Sequence, residues 1–122
     1  MIASIEEVIQ FLKDYKLVMT ISGLNVLNRM DDKNSLIKLG ITKKIRKQEI
    51  LSLSLTNYCE GPNPDHSRDG YVWIFGKKLE GIEVYIKLKL VELDTGMMAK
   101  CISFHEADHP LSYPYSQIEN KE

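Results

Sequence analysis

Two stretches of this chain place proton-transfer and charged residues at every second position. Glu83, Tyr85, Lys87 and Lys89 alternate with Val84, Ile86, Leu88 and Leu90, while Cys101, Ser103 and His105 alternate with Ile102 and Phe104. Successive side chains of a β-strand point to opposite faces, so each stretch reads as a strand with one apolar and one polar side. If the two pair through a turn at Asp94-Thr95-Gly96, then Tyr85, Lys87, Ser103 and His105 share one exposed surface. That set suits cleavage of RNA without a metal. The 2′-hydroxyl must lose a proton, the phosphorane must have its charge neutralised, and the leaving 5′-oxygen must gain a proton. Histidine serves proton transfer near neutral pH, lysine is a fixed cation, and tyrosine donates a hydrogen bond to developing charge.

On this reading His105 is the general acid or base and Lys87 the charge stabiliser. Tyr85 is a hydrogen-bond donor or proton-transfer partner, with Ser103 beside it. Lys77 and Arg68 are expected phosphate contacts, and Trp73 or Tyr71 is expected to stack an unpaired base, as readers of single-stranded RNA do. A polar strand face of Glu, Tyr and Lys is also what any half-exposed antiparallel strand displays, and Trp73, among apolar neighbours, is more often core than a stacking platform. A metal reading is weaker. Cys101, His105 and His109 fall four residues apart, which would align them on a helix, whereas this segment reads as a strand ending near Pro110. Zinc sites usually carry tighter pairs such as Cys-x-x-Cys. No metal and no cofactor is expected, and the sequence holds neither a glycine-rich phosphate loop nor a Gly-x-Ser-x-Gly elbow.

The elements that must position these residues follow from periodicity. Ser4-Ile5-Glu6-Glu7 has the form of a capping box, and Ile5, Val8, Ile9, Leu12 and Tyr15 recur at helical spacing, predicting an amphipathic helix over 5–16. Residues 17–29, β-branched and apolar around Gly23, predict a short strand or extended connector. Asp31-Asp32 can cap a short helix carrying Leu36, Ile37 and Leu39 and closed by Gly40. Thr42 can cap another, with Ile45, Glu49, Ile50 and Leu53 including its buried stripe. Residues 57–70, with two prolines and clustered polar residues, predict a loop. Then the period becomes two. Residues 71–75 form a strand, Glu80-Gly81 a turn, 82–93 a longer strand and 97–106 a third. Pro110 and Pro114 mark an extended tail that packs across the sheet, flexible from about residue 116. The fold class is α+β, with N-terminal helices packed on an antiparallel β-sheet meander, in one domain spanning residues 1–122.

With 122 residues the chain has room for one domain and an independent core. No run approaches the ~20 apolar residues of a membrane-spanning helix. The amino terminus is acidic and lacks the basic-then-apolar pattern of a signal peptide, so the expected compartment is the cytoplasm and no membrane contact is expected. Cys59 and Cys101 are too few for a disulfide framework and are expected to be free thiols, with Cys101, within an apolar run, packed. The formal net charge of −1 argues against a nucleic-acid partner, since phosphate binders usually carry a basic surplus. The lysines are nonetheless grouped. Lys33, Lys38, Lys43, Lys44, Arg46 and Lys47 make one basic stretch, and Lys77, Lys78, Lys87, Lys89 and Lys100 a second group.

A wider pattern links these pieces. Tyr58-Cys59-Glu60-Gly61-Pro62 is followed by Trp73-Ile74-Phe75-Gly76-Lys77, by Glu83-Val84-Tyr85-Ile86-Lys87 and by Cys101-Ile102-Ser103-Phe104-His105-Glu106-Ala107-Asp108-His109-Pro110, with Tyr113-Pro114-Tyr115 in the tail. In order and spacing this series resembles the MqsR-family toxins of type II toxin–antitoxin systems, over most of the chain. The resemblance implies a RelE-like fold and endoribonuclease activity on mRNA, free or presented on the ribosome, that inhibits translation and growth. It also implies a cognate antitoxin protein that masks the toxin. By position, Tyr85 matches the family's strand tyrosine at the scissile phosphate, and Lys87 the basic residue two places on. Ser103-Phe104 match the last strand, where His105 replaces a lysine of the type member. Cys59 stands where that member has a lysine, and its glutamine before the strand hairpin has no clear counterpart. The alternative that these departures and the near-neutral charge suggest is a non-catalytic RelE-like module that binds a protein partner or RNA.

Overall fold

A computed structural model of the protein describes residues 1–27 and 36–118. The first helix, α1 (Ile5–Ser22), begins at the expected capping box: Ser4 Oγ accepts the Glu7 N–H, and Glu7 Oε1 accepts the Ser4 N–H at 2.9 Å. It does not stop at residue 16. Tyr15 and Met19, both fully buried, extend the stripe of Val8, Phe11 and Leu12 by another turn, so tertiary burial overrides the weak helix preference of Thr20 and Ile21. The expected extended segment from Leu17 is therefore helix as far as Ser22. It ends where Gly23 adopts φ +86, a conformation glycine reaches without steric cost. Ile9, expected in the buried stripe, faces outward, and Phe11 takes its place.

Strand β1 (Leu24–Val26) follows. The proposed cap at Asp31-Asp32 and the end of the 17–29 segment lie outside the described residues. Residues 36–39 are helical, and Gly40, as expected, closes them: its N–H reaches Ile37 O while the Ile41 N–H reaches Leu36 O, the paired bonds of a Schellman ending. Helix α2 (Lys43–Leu51) is capped by Thr42 Oγ1, which accepts the Ile45 N–H at 3.1 Å. Its buried residues are Arg46 and Ile50, whereas Ile45 is exposed.

The sheet contains β1, β2 (Tyr58–Pro64), β3 (Tyr71–Leu79), β4 (Ile82–Leu93) and β5 (Gly96–Glu106), in the order β1-β5-β4-β3-β2. β2 to β5 form the antiparallel meander, and β1 adds a parallel edge beside β5. The architecture is α+β with an N-terminal helix on a five-stranded mixed sheet, rather than on a purely antiparallel one. The segment 57–70 is also more ordered than a loop, because its first half is the edge strand β2. Prolines 62 and 64 are compatible with that position, where one side of the strand needs no N–H partner. Gly61 is required by proximity, since a Cβ there would lie 2.8 Å from the Val72 carbonyl oxygen.

The core lies between α1 and one sheet face, where Val8, Leu12, Tyr15 and Met19 meet Phe75, Val84, Ile86, Leu88 and Phe104. The register between β4 and β5 slips once. Lys87 faces Ser103 and Leu88 faces Cys101, leaving Ile102 as an extra residue. Such a β-bulge reverses strand parity beyond it. Cys101 therefore turns into the core with Phe104, although simple alternation places it beside Ser103. Among the described residues no helix is long and apolar enough to cross a membrane.

Candidate functional site

The face of the sheet away from α1 carries the alternating polar residues of β4. Tyr85 is centred between His105 of β5 and Gly76 of β3, and Lys87 between Ser103 and Ile74. The Tyr85 and His105 rings stack at 5.3 Å with 17° between their planes. The Lys87 ammonium lies 5.8 Å from the Tyr85 ring centroid, within the range of a cation–π attraction. His105 Nδ1 is 2.9 Å from the Glu106 carbonyl oxygen. A carbonyl only accepts, so Nδ1 carries the proton and Nε2 of the neutral ring keeps its lone pair. Burial, reinforced by the negative charges of Glu60 and Asp108, pushes the Tyr85 phenol above its ordinary value. Tyr85 is thus a neutral donor at physiological pH.

Beside these residues opens a cleft of about 310 Å³, floored by Val72, Ile74 and Ile102 and walled by Glu60, His66, Tyr85 and Lys87. Its outer wall is the 65–70 loop, which Lys89 pins to β4. The Lys89 ammonium, on a side chain only 5% exposed, lies 2.7 Å from Asp65 Oδ2 and also donates to the Asp69 carbonyl. This partnership, with the Ser67 N–H on Asp65 Oδ1, pulls the Asp65 carboxyl down to about 2. Gly70 makes room for the pin, since a Cβ there would sit 3.0 Å from Lys89 Cε.

At the other side the carboxy-terminal segment straps the sheet, as its prolines suggest. Glu83 accepts from the Leu111 N–H at 3.1 Å and the Tyr113 hydroxyl at 2.9 Å. The strap crosses at Gly76, where a Cβ would meet Leu111 Cδ1 at 2.5 Å and Tyr113 Oη at 2.6 Å. Further on, Tyr115 stacks on Tyr58 and donates to the Ala3 carbonyl. Residues 116–118, in the span expected to be flexible, continue as a turn, with Ser116 and Ile118 bonded back to Tyr113 and Tyr115. Residues 119–122 lie outside the described residues. Cys59 is buried close to Glu83, and burial first, then the Glu60 and Glu83 charges, push its thiol up to about 12.

Of the residues singled out from the sequence, Tyr85, Lys87, Ser103 and His105 come together on this face. Arg68 is exposed on the pinned loop, two residues from His66. Lys77 and Trp73 are on the opposite face. Lys77 is opposite core residue Val84, with its ammonium 2.7 Å from both Glu49 Oε1 and Ser52 Oγ. Trp73 is packed on Phe11 at 4.4 Å, so its ring is a core element and not an open stacking platform. The core reading of Trp73 holds, and the side of β3 that each residue takes was open in the sequence because 71–75 is apolar at every position, so it does not tell which parity faces α1. Cys101 and His105 point to opposite faces, which separates the three residues spaced by four. The sequence reading missed His66, Glu60 and the Asp65–Lys89 pin. The available signal was the pairing of Asp65 with His66 between a proline and a glycine. No protein-family model, curated protein or solved structure matches the chain.

Proposed function

We propose that this protein is the toxin of a type II toxin–antitoxin pair. It would be a RelE-like, MqsR-like endoribonuclease that cleaves mRNA in the cytoplasm and is held in check by a cognate antitoxin. The observation that carries the reading is the convergence of His105, Tyr85 and Lys87 at the edge of a cleft of nucleotide size. In this reaction His105 Nε2 accepts the 2′-hydroxyl proton as the 2′-oxygen attacks phosphorus. Lys87 neutralises the charge that builds on the phosphorane, and Tyr85 donates a hydrogen bond to a non-bridging oxygen. The products are a 2′,3′-cyclic phosphate and a 5′-hydroxyl. Side chains take the 2′-hydroxyl proton and neutralise the phosphorane charge in this account, so the reaction is expected to proceed in excess EDTA.

One observation favours a second reading, a binding module that does not cut. Lys77, Lys89 and Lys38 are paired with Glu49, Asp65 and Glu106, and among the described residues Lys87 is the one lysine or arginine that lines the cleft. One assay separates the two. Purified protein is incubated with RNA in EDTA beside its His105→Ala variant, and product ends are mapped. Cyclic-phosphate ends, lost by roughly 10²–10⁴-fold in the variant, support the enzyme. RNA that is bound but left intact, free and on translating ribosomes alike, supports the module.

A further inference from the structure

We propose that His66 is the second proton-transfer residue of this site, the general acid that protonates the leaving 5′-oxygen. The proposal rests on the ribonuclease reading above and assigns the one proton which that reading leaves without a donor.

The argument is geometric. Displacement at phosphorus places the entering and leaving oxygens roughly in line on opposite sides, so a base and an acid acting on them must approach from opposite sides. His105 enters the face from β5, beside Tyr85. His66 stands on a different element, the loop between β2 and β3, and shares the cleft lining with Tyr85 and Lys87. The loop is anchored at Lys89, four residues along β4 from Tyr85. At ~3.3 Å per residue the two anchor points are about 13 Å apart, and Lys87 projects between them on the same face. The stabilising cation is therefore flanked by one histidine on each side.

The loop is also built to hold its histidine in place. Asp65, immediately before His66, is fixed by Lys89 and by the bond from its own N–H to the Gly70 carbonyl at 2.9 Å. Ser67, immediately after, donates its N–H to Asp65 Oδ1 at 2.9 Å. A buried ammonium is a costly way to fix a surface loop, and a loop that presents a reacting group gives that expense a purpose. His66 itself is exposed, and among the described residues its ring makes no hydrogen bond, so both nitrogens are open to substrate.

The proton count closes. His105 Nε2 takes the 2′-hydroxyl proton, the O2′–P bond forms, the P–O5′ bond breaks, and the His66 imidazolium gives its proton to O5′. His105 ends protonated and His66 neutral, and exchange with water restores both.

The test replaces the leaving 5′-oxygen at a single cleavage site by sulfur. A thiol has a pKa near 8.5, so a thiolate leaves without a proton and the general acid becomes dispensable. His66→Ala is expected to cleave ordinary RNA about 10²-fold slower or worse and the sulfur-bridged RNA within a few-fold of wild type. His105→Ala is expected to be slow on both. Full activity of His66→Ala on ordinary RNA, or an equal loss on both substrates, overturns the assignment and leaves the ribonuclease reading standing. Wild-type protein inert on both substrates, free and on ribosomes, overturns that reading and the assignment with it. Because His66 is exposed, a circular dichroism spectrum matching wild type is expected for its variant.

Discussion

Replacing Lys89 by methionine isolates the ion pair that pins the loop over the cleft. The methionine keeps an apolar stem of similar reach against Gly70, so the main losses are the ammonium and its bonds to Asp65 and the Asp69 carbonyl. The ordinary carboxyl value is 3.8, and that of Asp65 is about 2. At about 1.36 kcal/mol per pH unit the difference corresponds to roughly 2.4 kcal/mol. Asp65 retains contact with water, with its side chain 13% exposed, and once unpaired it can turn outward. Screening, relaxation and the Ser67 N–H bond that the variant keeps reduce the expected loss to about 1–2 kcal/mol, or a fall in Tm of about 3–10 °C for a domain of this size. The folded-state carboxyl is depressed, so its contribution is complete above the unfolded carboxylate's range near pH 3.9 and is lost as pH falls through about 2. Urea unfolding followed by Trp73 fluorescence should therefore give a wild-type-to-variant gap that is constant between about pH 7 and 5 and narrows toward pH 2. A gap below about 0.5 kcal/mol at pH 7, or one that does not narrow in acid, would refute the reasoning and leave only the lysine stem as the anchor.

Two further outcomes follow from other contacts. Gly76→Ala inserts a methyl group where Leu111 and Tyr113 already stand within 2.6 Å; overpacking of this kind costs about 1–3 kcal/mol. The strap is expected to lift from Glu83, seen as faster proteolysis after residue 107, and cleavage no faster than wild type would show that the strap accommodates the methyl. Cys59, with its thiol raised to about 12 by burial, is expected to resist iodoacetamide at pH 8 until the protein unfolds, because the thiolate is the reactive form. Rapid native-state alkylation at Cys59, read by mass spectrometry, would contradict this.

Much of the site was legible where a polar face alternates cleanly with an apolar one. Glu83 to Leu90 switches character at every residue, so Tyr85 and Lys87 could be assigned to one side without a structure. The bulge at Ile102 then brings His105 opposite Tyr85, because the turn that pairs Leu93 with Gly96 would by itself set Tyr85 against Phe104. Where alternation fails, the reading failed with it. The sides of Trp73 and Lys77 could not be read because β3 begins apolar at every position. Cys101, expected to be packed in its apolar run and found buried, was nonetheless put on the polar face because a bulge leaves no mark in composition. Lys89 looked like a further surface cation in the same row as Lys87, yet its charge is buried beneath a loop that starts 24 residues earlier.

By itself the sequence determined what depends on neighbours a few residues apart: the Ser4–Glu7 box, the Thr42 cap, the Gly40 closure, the strand hairpins and the faces of β4. These rest on backbone valence and side-chain periodicity, which are local. Only the tertiary structure decided how far α1 continues, which edge β1 joins, where the bulge falls and which lysines meet a carboxylate. Each of those is settled by burial against residues remote in the chain, and a partner that distant exerts no constraint a single sequence displays. The candidate acid His66 belongs to the second group, because it meets the face of β4 only after Lys89 has drawn the loop across it.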